Sequence, residues 1–176
     1  MPQREQKRKD IEYHLTQNQL TELLDTESAR ALLDRALSDP LLSSLDRARL
    51  LPAQAEVALA CGARETSRAV ANELASIAED YGSPALVARA ALAQGLVQLG
   101  DGQPIEAATH FRRAWKLSKD GDLPYEAARA RVMLGQAYRA SGDKEDARLE
   151  LRAAIGAFQR LGAAEDARRT TALLEA

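Results

Sequence analysis

Aromatic side chains make up only 4% of the 176 residues, with a single tryptophan, Trp115, and a single cysteine, Cys61. A core so poor in rings must be built mainly from Ala and Leu, which suits close-packed helices better than the half-buried faces of sheets. One cysteine excludes an internal disulfide, and Cys61, in the run Ala58-Leu59-Ala60-Cys61-Gly62, is expected as a buried structural thiol. An excess of either charge is also lacking: 24 basic and 26 acidic residues leave a net charge of -2. That balance describes a soluble surface of mixed sign without the basic excess of a nucleic-acid reader, so no direct nucleic-acid binding is expected. No apolar run approaches the roughly 20 residues that span a bilayer, and the first ten residues lead into a polar segment instead of an apolar leader. A cytoplasmic protein without membrane contact is the expectation.

Catalytic signatures are missing as well. His14 and His110 stand far apart, each without a His or Cys at ligand spacing, which argues against zinc. Neither a Gly-x-Ser-x-Gly elbow nor a Gly-x-x-x-x-Gly-Lys-Ser/Thr loop occurs, and the carboxylates are spread along polar faces without an inward pair for acid-base work. Gly100-Asp101-Gly102 has the look of a phosphate loop but lacks a preceding strand, and reads as a helix-to-helix turn. No enzyme and no cofactor are expected.

What is present is repetition. Gly95, Gly102, Ala107, Phe111 and Ala114 recur in order as Gly135, Gly142, Ala147, Leu151 and Ala154, a period of 40 residues. One period earlier stand Ala55, Gly62, Ser67, Ala71 and Leu74, and a degenerate copy keeps Ala29, Leu33 and Ala36. Apolar residues recur every three or four positions on both sides of short polar turns, so each unit reads as two antiparallel helices. The turns carry a helix-ending Gly, as in Cys61-Gly62-Ala63-Arg64 and Ser141-Gly142-Asp143-Lys144, and Tyr81-Gly82-Ser83-Pro84 adds a Ser cap with Pro at the first helical position. The pattern predicts helices near 10–24, 27–38, 43–61, 65–80, 84–100, 104–119, 123–141, 144–161 and 164–175. The expected fold is all-α, a right-handed solenoid of helix pairs whose units are 10–47, 48–87, 88–127 and 128–163, followed by a helix over 164–175. Residues 1–9, with Arg4, Lys7, Arg8 and Lys9 diluted by Glu5, read as a flexible basic terminus.

Glycine inside a helix costs about 1 kcal/mol relative to Ala and needs a compensating close approach. Gly95 and Gly135 are expected to let the first helix of a unit touch Ala107 and Ala147 of the second, with Phe111 and Leu151 filling the gap toward the next unit. Trp115 aligns with Ile155 one period later and is expected in the core.

Leu134, Gly135, Tyr138, Gly142, Ala147, Leu151 and Ala154 together resemble the tetratricopeptide signature, with Arg131 at its Trp position. The 40-residue period over Tyr81 to Arg168, about half the chain, is similar to the solenoid of large LuxR-type bacterial transcription activators of the maltose-activator class. Gln94 and Gln98 depart from that pattern, standing where the family places apolar residues. The resemblance implies a non-catalytic interaction or effector-sensing module of a bacterial transcriptional or signalling regulator, binding a protein or peptide in a concave groove.

A row of arginines is the candidate site. Arg49, Arg89 and Arg129 each follow an Ala and recur at one full period, and Gln136 and Arg139 extend the same face of the last complete unit. On a stack of first helices, three guanidinium groups would form a ladder for carboxylates or phosphates, favouring an acidic partner. The competing reading is that Asp46 and Glu126, three residues before Arg49 and Arg129, hold them in ordinary surface ion pairs. The alternative function is a self-associating scaffold, a homodimer through its terminal helices.

Overall fold

The computed structural model describes residues 26–175, and these residues form helices joined by short turns. In chain order they are α1 (Thr26–Leu37), α2 (Ser44–Ala60), α3 (Arg64–Tyr81), α4 (Pro84–Gly100), α5 (Pro104–Asp120), α6 (Pro124–Ala140), α7 (Lys144–Leu161) and α8 (Ala164–Glu175). Each bound lies within a few residues of the sequence expectation. The predicted helix over 10–24, with His14 and the basic cluster before it, lies outside the described residues.

Two local devices set this rhythm. The first is a left-handed residue at positive φ every 20 residues: Gly62, Gly82, Gly102, Asp122, Gly142 and Gly162. At five of these six turns, the residue after it donates its N–H to a carbonyl five positions back, as Ala63 does to Ala58 and Asp143 does to Tyr138. Such closure satisfies carbonyls that the helix end leaves orphaned. The second device is a start signal. Pro84, Pro104 and Pro124 open α4, α5 and α6, where a missing N–H costs nothing. Ser43 and Asp143 accept from the N–H of Asp46 at 3.2 Å and of Asp146 at 3.3 Å. Ser83 does not behave as its sequence suggests. It stands at the cap position, but its side chain makes no capping bond, and Pro84 carries the start alone.

Consecutive helices pack against one another, and the first helices of successive pairs, α2, α4 and α6, also touch. Buried apolar residues therefore fall into a row of small cores. Ala29, Leu33, Ala53 and Val57 join α1 to α2, and Leu51, Leu74 and Leu86 belong to the next cluster. Phe111, Ala130 and Leu134 lie in a third, and Leu151, Phe158 and Ala167 in the last. This is a helical repeat stack, in which each pair buries its apolar face only against its neighbours. The helix α4 shows the consequence most fully. Arg89 is its one charged residue, and it lies between α2 and α6 with α3 and α5 also against it. A helix that is apolar nearly all round is a buried helix.

The glycines sit where close approach demands them: Gly135 meets Ala147 as expected, but the tightest neighbours of Gly95 and Gly135 are Phe111 and Leu151. A Cβ on Gly95 would lie 2.4 Å from Cε1 of Phe111, and one on Gly135 would lie 2.8 Å from Cγ of Leu151 and 3.1 Å from the Ala147 carbonyl. Phe111 and Leu151 thus rest on the glycines of their own pair, and Phe111 also reaches Ala130 and Leu134 of the next. The physical reason is volume. A bare Cα frees only the space of a Cβ, which lets the Phe111 ring or the Leu151 isobutyl group lie directly against the helix backbone.

At the far end, α8 turns Ala167 and Thr170 inward with Leu173 and Leu174 partly covered, while Glu165, Arg168, Ala172 and Glu175 face outward. It carries one apolar stripe, as a capping helix does.

Candidate functional site

The arginine row stands on the first helices: Arg49 on α2, Arg89 on α4 and Arg129 on α6. Each has a carboxylate of the same chain beside it. Arg49 lies 3.6 Å from Asp46, one turn back on α2, with both side chains half or more exposed. Arg89 lies 3.8 Å from Glu126 on α6. Arg129 reaches over α4 to Glu56 of α2, at 2.6 Å.

The last pair spans the row. Two helices flanking a third stand about 16 to 20 Å apart in a flat row, at 8 to 10 Å per spacing. An arginine and a glutamate bridge such a gap only when both side chains are nearly fully extended over the helix between them. Arg129 and Glu56 therefore mark one shared face of these three helices, and the pair lies across it. Glu56 escaped the sequence reading, although a signal existed. It falls seven residues after Arg49, two turns along the same helical face, and one period before Leu96.

The two polar residues expected to extend the row serve different ends. Gln136 is partly exposed on α6. Arg139 donates from Nη2 to the backbone carbonyl of Leu173, tying α6 to α8. That bond satisfies one of the last four carbonyls of α8, and a cation near a helix C-terminus also meets the negative end of its dipole.

Behind the row, Arg131 at the expected Trp position bridges three helices. Its guanidinium carbon lies 4.7 Å above the Trp115 ring of α5, and its Nη1 is 2.8 Å from Glu150 of α7. Lys119 approaches the same ring at 5.5 Å. Trp115 is partly buried against the third core cluster. Stacking under a guanidinium draws on the negative face of the indole. Other cross-helix ties follow the same logic: Arg47 of α2 meets Glu73 of α3 at 2.6 Å and donates to the Leu37 carbonyl, and the Tyr125 hydroxyl lies 3.3 Å from Asp166. Burial first, and the nearby Asp166 carboxylate second, push the Tyr125 hydroxyl above its ordinary range.

Among the described residues no group of three or more His, Cys, Asp and Glu is arranged to hold a metal ion. No described helix is long and apolar enough to cross a membrane. Cys61 is half-buried at the end of α2, more open than the sequence suggested, with its Sγ 3.9 Å from the Thr26 carbonyl. Compared with protein-family models and with curated proteins, the chain matches none.

Proposed function

We propose that this chain is a non-catalytic interaction module that binds a protein or peptide through the concave face of α2, α4 and α6. The observation that carries the reading is the Arg129–Glu56 bridge over α4, on a face whose guanidinium groups are already held by carboxylates. Such a face is preorganised for exchange: an incoming carboxylate replaces an internal one and keeps the charge pairing. The tetratricopeptide-like signature and the 40-residue period add a cytoplasmic, bacterial transcriptional or signalling regulator as the setting.

The test replaces Arg49, Arg89 and Arg129 together with Ala and measures partner binding against salt. A loss of affinity with a flatter salt dependence supports the reading. Unchanged affinity and salt dependence sink it.

Self-association is a second reading, favoured by apolar side chains at the α1 end. Leu41 is 91% exposed, with Leu32 and Leu45 also exposed nearby in the chain. Light scattering on a size-exclusion peak separates the two: a monomer supports the groove, and a dimer abolished by Leu41→Ser supports the scaffold.

A further inference from the structure

The arginines on the shared face of α2, α4 and α6 are each held by a carboxylate, whereas several cations on the outward side of two second helices have no acidic partner among the described residues. On α5 these are Arg112, Arg113, Lys116 and Lys119, and on α7 they include Arg148, Arg152 and Arg160 beside Lys144 at its start, all exposed. None of them joins an ion pair among the described residues; Arg112 donates to the Ala108 carbonyl at 3.3 Å, and Lys119 lies over the Trp115 ring. Arg112 and Arg152 stand one period apart. Because α5 and α7 both run antiparallel to the α6 they flank, their C-terminal halves lie at the same end of the stack.

The helix dipole offers a simpler account, since bases favour helix C-termini. The helix α3 removes it as a sufficient cause. Occupying the equivalent place in its pair, α3 has Arg64 and Arg68 at its start and Glu79 and Asp80 at its end. The fold tolerates either polarity, so the basic surface belongs to α5 and α7 specifically. Its field acts on a neighbour: burial, and then the charge of Arg113, hold His110 below the ordinary imidazole range.

We infer that the outward surface of α5 and α7 docks an acidic segment of a partner protein. A nucleic acid fits it less well. The chain as a whole is acidic, and exposed Asp120 and Asp122 close the basic stretch at the α5–α6 turn, leaving too short a track for a phosphate backbone. Base stacking on Trp115 is also blocked, because Arg131 and Lys119 already lie over its ring. This inference rests on the reading of the chain as an interaction module, but places a second contact away from the groove.

The experiment uses the full chain and a fluorescently labelled oligoglutamate peptide, followed by anisotropy at low salt. Wild type is expected to bind, and about 0.5 M salt, with a Debye length of only a few ångströms, is expected to release the peptide. The triple reversal Arg112→Glu, Lys116→Glu and Arg152→Glu should weaken binding by about ten-fold or more. The corresponding Gln variant should fall between, with circular dichroism confirming that both stay folded. Replacing Arg49, Arg89 and Arg129 with Ala should leave this peptide's affinity within about two-fold. The inference is overturned if wild type does not bind, if reversal leaves the affinity unchanged, or if a DNA duplex or phosphatidylserine vesicles bind more tightly than the peptide. Loss of peptide in the groove triple alone would overturn it while leaving the interaction-module reading intact.

Discussion

Arg129 and Glu56 are 73 residues apart in sequence, yet their side chains meet at 2.6 Å across the face of α4, each about one-fifth exposed. This pair links the first helices of non-adjacent helix pairs, so it constrains the bend of the stack as well as its stability. Partly shielded from water, it stands between a surface pair and a buried one, and Glu56→Gln should cost about 1 to 2 kcal/mol. The same variant should open the curve, raising the radius of gyration in small-angle scattering. Arg49→Ala, which removes an exposed pair on one helix, should change stability by no more than about 0.5 kcal/mol and leave the shape alone. Equal effects of the two variants in urea denaturation would refute the assignment of Arg129–Glu56 as the bridge that sets curvature.

Across three helix pairs, bulk at one position trades against bulk at another. Ala55 aligns with Gly95 and Gly135, while Ala71 aligns with Phe111 and Leu151. Where the second residue is large, the first is Gly, and a Cβ there would collide with it. Gly95→Ala should therefore destabilise by about 1 to 3 kcal/mol through overpacking. In a Phe111→Ala background the same change should become neutral or favourable, because Ala is the better helix former by about 1 kcal/mol once the ring is gone. A double-mutant cycle by urea denaturation reads this coupling directly. Additive effects would show that Gly95 and Phe111 do not share one space.

The helix boundaries were legible because they are local. Gly at the left-handed turn and Pro at the first helical position act within a few residues, and the 40-residue period repeats them. What lies between helices was less legible. Asp46 and Arg49 share a helix, and their pairing was readable as three-residue spacing. The Arg129–Glu56 pair was not, because the nearest acid to Arg129 in sequence is Glu126 while Glu56 arrives only through the stacking of three first helices. That stacking depends on the volumes at every helix contact, which no single motif encodes. The same holds for Gly95: the need for a close neighbour was evident, but whether Ala107 or Phe111 filled the space depended on helix rotation.

Two groups give the stability a pH dependence in separate windows. Burial, and secondarily Arg113, hold His110 below its ordinary value of 6.5, so the unfolded chain takes up a proton more readily than the folded one. Stability is full above that value and falls as pH drops through it, levelling off below the folded-state value. His110→Gln should flatten this part of the profile. Glu165 is held down to about 2, first by the hydrogen bond from Arg168 and also by Arg169. Its contribution is present above the ordinary 4.5 and lost as pH falls toward about 2. Urea midpoints across the pH range check both. A profile in which His110→Gln keeps the wild-type slope near neutrality would assign that slope elsewhere.

Asp122 is the one exception in the series of left-handed turns. Gly62, Gly82, Gly102, Gly142 and Gly162 occupy the equivalent places, whereas at this turn the glycine stands one residue early, at Gly121 with φ of -89°, and Asp122 takes φ of 54°. An L-residue there brings its Cβ close to the following carbonyl, at a cost of about 1 kcal/mol that Asp tolerates better than most. Asp122→Gly should relieve it and raise stability by up to about 1 kcal/mol, part of the gain being offset by the greater freedom of Gly in the unfolded chain. Gly102→Ala should do the reverse, although nothing lies within 4 Å of its Cβ position, because its φ of +76° is the obstacle. If Asp122→Gly lowers the urea midpoint instead, the aspartate side chain must hold this turn in a way that outweighs its backbone strain, and the interchangeability of the six turns would fail at the junction of α5 and α6.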